Sequence, residues 1–167
     1  VVVLGRLQVL LPDQSHPLVQ IRMDALGVLD LSAETVALDA TLYDSRILQF
    51  TLTGDMALRA GWGRQPQFML AIGGFHPRFA PPPGLPALKR LALQLADGDS
   101  LQLRCQAYLA VTSNTVQFGA RVDLHAAGGG FSFDGLLGFD AILQLAPLAF
   151  EVEVGAALAL RYHGRLL

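Results

Sequence analysis

The side chains able to do acid–base, nucleophilic or metal chemistry are few and scattered. His16, His76, His125 and His163 are the histidines, and Cys105 is the lone cysteine. No His-x-x-x-His pair and no glutamate beside a histidine occurs, so the usual ligand spacing of a zinc site is absent. His125 and His163 fall on polar strand rows, where a solvated or locally bonded imidazole is the ordinary outcome. Cys105 falls in an apolar row, which predicts a buried, inert thiol rather than a nucleophile in an electropositive opening. Ser132, in Gly130-Phe131-Ser132-Phe133-Asp134, lacks the closing glycine and the strand-to-helix setting of a nucleophile elbow. Gly128-Gly129-Gly130 is followed by no Lys-Ser/Thr and opens no helix, so it is not a phosphate loop. Asp97-Gly98-Asp99 brings two carboxylates together, but in a hairpin turn rather than a calcium loop. Asp134 and Asp140 share a polar row at about 20 Å along a straight strand, too far to act on one substrate atom. An enzyme is the least supported class, and no catalytic, cofactor or metal residue is assigned.

One segment gathers donors. Gly73 to Pro86 is too rich in proline and glycine to pair inside a sheet. This loop, 73–87, brings Phe75, His76, Arg78 and Phe79 toward Lys89 and Arg90, and it is the candidate partner or ligand loop. The plainer and favoured reading is a rigid crossover that caps one end of a sheet with Phe75 and Phe79. Leu85, Leu88, Leu91, Ala92 and Leu95 also fit helical spacing, with Pro86 at a first-turn position, so a short helix near 86–92 is compatible.

Everything else alternates with period two. Val19 to Leu31 and Val36 to Leu42 each place apolar residues on one face, and Asp44-Ser45 reads as a turn. Leu48 to Trp62 is the cleanest row, about 15 residues or about 50 Å if straight, against a common strand of about 5–6 residues. Gly54 marks a bend or bulge within it. After the loop, rows at Leu91–Leu95, Leu101–Val111, Val116–Leu124, Phe131–Leu145 and Phe150–Tyr162 are separated by Asp97-Gly98-Asp99, Ser113-Asn114, Gly128-Gly129-Gly130 and Ala146-Pro147. Long strands joined by short turns predict an all-β antiparallel meander, folded as a sandwich, open barrel or groove, with one Pro-rich crossover between two β halves.

The bulk composition agrees. Of the 167 residues, 52% are hydrophobic and 16% charged, against roughly 25% charged in an average chain. One domain, 1–167, is expected. No apolar run is long enough for a spanning helix. The net charge is −2, and Lys89-Arg90 is the longest basic run, which disfavours nucleic-acid binding by counterion release. A membrane barrel would alternate in the same way, but one tryptophan and three tyrosines make a poor aromatic girdle. Both ends read as strand, so the expectation is a piece of a longer protein, with any targeting signal outside it.

Gly73-Gly74-Phe75-His76-Pro77, Pro81-Pro82-Pro83, the stretch Tyr108 to Ala120 and Gly138-Phe139-Asp140-Ala141-Ile142-Leu143 together resemble a family of large bacterial β-rich proteins known only as a domain of unknown function. The resemblance spans about residues 50–160. It implies a segment of a longer β-rich protein and carries over no functional residues.

The functional expectation is a non-catalytic structural or interaction module of a larger β assembly, pairing through strand edges at residues 1–10 and 150–162 with neighbouring segments or further copies. The alternative is a carrier whose apolar rows line a groove for lipid or another apolar ligand. Phe50, Leu52, Met56, Phe131, Phe133 and Phe139 are the candidate lining. A chain of this size normally satisfies its own apolar faces, so a packed core is expected. Phe133→Ala would then cost about 3–5 kcal/mol.

Overall fold

The computed structural model describes residues 1–167 and contains strands and turns but no helix, with 68% of residues in strands. The strands are β1 (Val2–Leu11), β2 (Val19–Asp30), β3 (Thr35–Leu42), β4 (Ser45–Ile47), β5 (Phe50–Thr53), β6 (Asp55–Gly61), β7 (Gln67–Ile72), β8 (Leu91–Asp97), β9 (Leu101–Thr112), β10 (Thr115–Gly128), β11 (Phe131–Gln144), β12 (Ala149–Tyr162) and β13 (Arg165–Leu166). All pairings are antiparallel and join one sheet.

Followed strand by strand, the pairings close a ring of eight, β2 to β9, but not a regular barrel. Three strand positions are each filled by two short strands in succession. One edge of β2 is taken by β1, so β3 and β4 share the other, at Met23–Asp30 and Val19–Gln20. The register slips by one residue between them, at Tyr43-Asp44, and Asp44 takes φ 46°. Asp44-Ser45 is therefore a bulge within a strand and not the reversal expected there. The reversal comes at Leu48-Gln49, with Leu48 at φ 56°, where glycine is the usual occupant. The expected strand from Leu48 to Trp62 accordingly starts at Phe50, and it breaks at Gly54. A Cβ there would stand 2.9 Å from the Leu91 Cα, so only glycine lets the loop's return pass.

The third shared position holds β7 and β8. Ile72 pairs with Leu109 of β9 and Leu91 pairs with Ala107, so only Tyr108 separates the points where the chain leaves and re-enters the sheet. The whole Pro-rich segment is an excursion from one strand position, and the two β halves on either side of it are one continuous sheet. No helix forms near 86–92. The Lys89 N–H donates to the Asp55 carboxylate (2.9 Å) and the Lys89 carbonyl accepts from the Asp55 N–H (3.2 Å), which holds this stretch extended against β6.

Antiparallel partners share a face, so the register assigns every side chain. From β1 to β12, one face carries Val, Leu, Ile, Met, Phe, Ala and Gly, with Cys105, Ser45 and Tyr162, and no Asp, Glu, Lys, Arg or His. The opposite face carries the charges. The expected packed core does not form. Only 18 of 167 residues are buried, and those of the apolar class are mostly alanines. The chain exposes 10752 Å², where a compact globular chain of this mass would expose about 8,000 Å². The fully buried side chains Ala57, Ala71, Ala110 and Gln117 all stand on the opposite face, so burial is concentrated there. Cys105, on the apolar face, is half-buried rather than buried.

Candidate functional site

The excursion between β7 and β8 lies on the polar face, with His76 and Arg78 at the ends of β10 and β12 and Arg90 over β9. It departs through Gly73 and Gly74, at φ 71° and 92°. A Cβ on Gly73 would meet the Ala107 carbonyl at 2.6 Å and the Leu91 nitrogen at 2.7 Å, so the exit requires glycine. Phe75 and Phe79 stack on each other, with ring centroids 5.2 Å apart. His76, next to Phe75 in the chain, is buried. Its backbone N–H donates to Gln117 Oε1 (2.9 Å), and Gln117 Nε2 donates to Thr115 Oγ1 (2.9 Å). The Arg78 N–H donates to His76 Nδ1 (3.2 Å), so a neutral ring carries its proton on Nε2, which has no partner. The Arg78 guanidinium reaches β12 and pairs with Glu151 and, at 3.1 Å, with Glu153.

Arg90 closes the excursion. Its guanidinium lies 3.9 Å from the Tyr108 ring centroid and donates to the Gly73 carbonyl (3.1 Å). Burial lowers its pKa from the ordinary arginine value. The Tyr108 hydroxyl donates to Asp140 Oδ1 (2.8 Å). Burial and that carboxylate push the tyrosine pKa well up. Tyr108 can reach Asp140 only by lying over Gly119, where a Cβ would be 2.4 Å from Tyr108 Cε1. A cleft of about 430 Å³ opens here, lined by Pro77, Arg90, Tyr108, Gly119, Asp140 and Glu153. Of the candidate loop residues, Arg78 and Arg90 thus meet the sheet through their side chains, whereas His76 and the exposed Lys89 bond to it through their backbone N–H groups. Tyr108, Gln117 and Asp140 are the partners that sequence reading missed. The polar row containing a glycine at 119 was the available signal.

Further along the same face His125 Nδ1 meets Asp134 Oδ1 (2.6 Å), and Arg161 pairs with the same carboxylate. The His125 bond, before other causes, holds Asp134 below the usual carboxylate range. No group of three His, Cys, Asp or Glu side chains is placed to hold a metal ion.

The apolar face has no such cover. Phe50, Leu52, Met56, Phe131, Phe133 and Phe139 all stand on it. Leu52, low in the sheet beside Leu93, is buried; Phe50, Met56 and Phe133 are half-buried, and Phe131 and Phe139 are exposed. Toward β12 the exposure grows: Leu137 is 58%, Val154 73% and Leu158 76% exposed. Phe118 packs edge-on to Phe139 and Phe131 tilts against Tyr162, so contacts run along the face and not across to a second layer. Monomeric proteins rarely expose apolar patches beyond a few hundred Å².

A family model spans every one of these strands. The chain belongs to the DUF6603 family of unknown function, matched over residues 1–167. No curated protein and no solved structure matches it. The family supplies no ligand, and the sheet's own geometry carries the functional argument. No helix of the chain is long and apolar enough to cross a membrane.

Proposed function

We propose that this DUF6603 chain is a non-catalytic β module of a larger β-rich assembly, and that its apolar face binds the acyl chains of lipids. One observation supports this reading above the rest. The apolar face is free of formal charge from β1 to β12 and is left uncovered, while the chain's own 18-residue excursion, Gly73 to Arg90, folds onto the opposite face. Water against so much apolar surface costs roughly 25 cal/mol per Å². An acyl chain asks only for length and freedom from charge, and strands of up to 14 residues, about 45 Å, supply both.

The test is mass spectrometry of an organic extract of the purified chain, alongside Leu137→Asp and Val154→Asp. Both positions are exposed, so the fold tolerates the change and circular dichroism should be unaltered. The expected result is co-purifying lipid in the parent and its loss in both variants. A second reading, a protein sheet laid over the same face, draws support from the two open sheet edges. It is favoured if the parent yields no lipid and both variants lose self-association instead.

A further inference from the structure

The two edges of the sheet differ. β12 carries Glu151 and Glu153, and its far end is occupied by β13 at Arg161 and Tyr162. Charge and a covering segment both hinder a further strand. β1 has neither. Its outer edge is unpaired from Val2 to Leu11, with no proline, lysine or bulge, while its ladder to β2 is unbroken. Val1 and Leu29 exchange both backbone bonds. By antiparallel alternation the odd residues of β1 bond to β2, and Val2, Leu4, Arg6, Gln8 and Leu10 turn their N–H and C=O groups outward. β1 is also where the sheet loses its sidedness. Val2, Leu4 and Leu10 stand on the polar face, with Leu26 and Val28 of β2 opposite Leu4 and Val2, and all but Leu10 are exposed. A strand apolar on both faces has the composition of an interior strand, not an edge.

We propose that β1 pairs antiparallel with β1 of a second copy of this chain, about a two-fold axis perpendicular to the sheet at Leu7. The outward groups belong to even-numbered residues, so even residues must meet even residues. An axis at Arg6 would set two arginines directly opposite, which is destabilising. An axis at Gly5 shortens the ladder and sets Arg6 against Leu4. The axis at Leu7 sets Leu4 against Leu10 and Arg6 against Gln8. On the apolar face it sets Val3 against Leu11, Gly5 against Val9 and Leu7 against Leu7. Val2 would face Pro12, whose missing N–H ends the ladder at that pair. The strand is therefore complementary to itself, which is what selects a second copy as the occupant. The axis also leaves both apolar faces on the same side, so they join into one surface.

Disulfide trapping in the full chain, in a Cys105→Ala background, tests this register. Leu7 meets its own counterpart as a non-hydrogen-bonded pair, with Cα atoms about 4.5 Å apart, within disulfide reach. Leu7→Cys should form a covalent dimer under mild oxidation. Val9→Cys, which faces Gly5, should not, but should cross-link when mixed with Gly5→Cys. Gln8→Pro removes an outward N–H without touching the bonds to β2, and should shift sedimentation from dimer to monomer. Equal cross-linking of Leu7→Cys and Val9→Cys, or a monomeric parent chain, overturns the proposal. A monomer that still carries lipid refutes the edge pairing alone and leaves the reading of the apolar face standing.

Discussion

The two faces of this sheet are built from the same strands and are treated in opposite ways. On the polar face the chain adds a strap, pins it with Gln117, Glu151 and Glu153 at one side and Arg90 on Tyr108 at the other, and buries His76 beneath it. On the apolar face it adds nothing. Folding ordinarily buries apolar surface first, because that is the dominant favourable term. Here the ordered loop contributes rigidity on the side that needs cover least. The sheet's stability therefore rests on its ladders and on the strapped polar network, and the apolar face is free to be a surface.

That asymmetry can be broken from the polar side with large effect. Gly119→Val would place a side chain 2.4 Å from the Tyr108 ring and 2.7 Å from the Phe139 carbonyl. Overpacking together with loss of the Tyr108–Asp140 bond should cost roughly 3 kcal/mol, read as a lower urea midpoint. Gln117→Leu fills the same buried space but leaves the His76 N–H without an acceptor, and should cost about 1–3 kcal/mol.

Tyr108 makes the strapped face sensitive to alkaline pH. In the unfolded chain Tyr108 ionises near its ordinary value of 10.0, whereas in the fold it holds its proton well above that. Its contribution to stability is complete below pH 10 and is lost as pH rises beyond it, since the unfolded chain then binds fewer protons. Tyr108→Phe should flatten the alkaline limb of a stability–pH curve and leave the acid limb as it was.

The smallest effect belongs to the bare face. Leu137→Ala should cost under about 1 kcal/mol, the range of surface positions, where a core leucine would cost about 2–5 kcal/mol. A loss in the core range would mean that the apolar face is covered in solution.

Much of this was legible in the sequence, for identifiable reasons. Strict alternation placed Phe50, Leu52 and Met56 in register with one face, and the same for Phe131, Phe133 and Phe139. Gly98, Asn114 and Gly129-Gly130 announced hairpins because turn geometry demands such residues. The reversal at Leu48-Gln49 was not legible, because Leu48 adopts a positive φ without being glycine or asparagine. Nor was the end-to-end placement of β7 and β8, since period two says nothing about which strands share an edge. Above all, alternation defines an apolar face without saying what meets it, so a packed core was expected where a bare surface stands. The site on the polar face was half legible: His76, Arg78 and Arg90 stood out by type, but Gln117 and Tyr108 read as ordinary strand residues.

Carbene footprinting of the delipidated chain, with and without added oleic acid, tests the central claim most directly. The account predicts heavy labelling at Leu137, Val154 and Leu158 without lipid, protection of these three on addition, and unchanged labelling of the 73–90 strap. Protection of the three positions before any lipid is added, or labelling that oleic acid leaves unaltered, would contradict it.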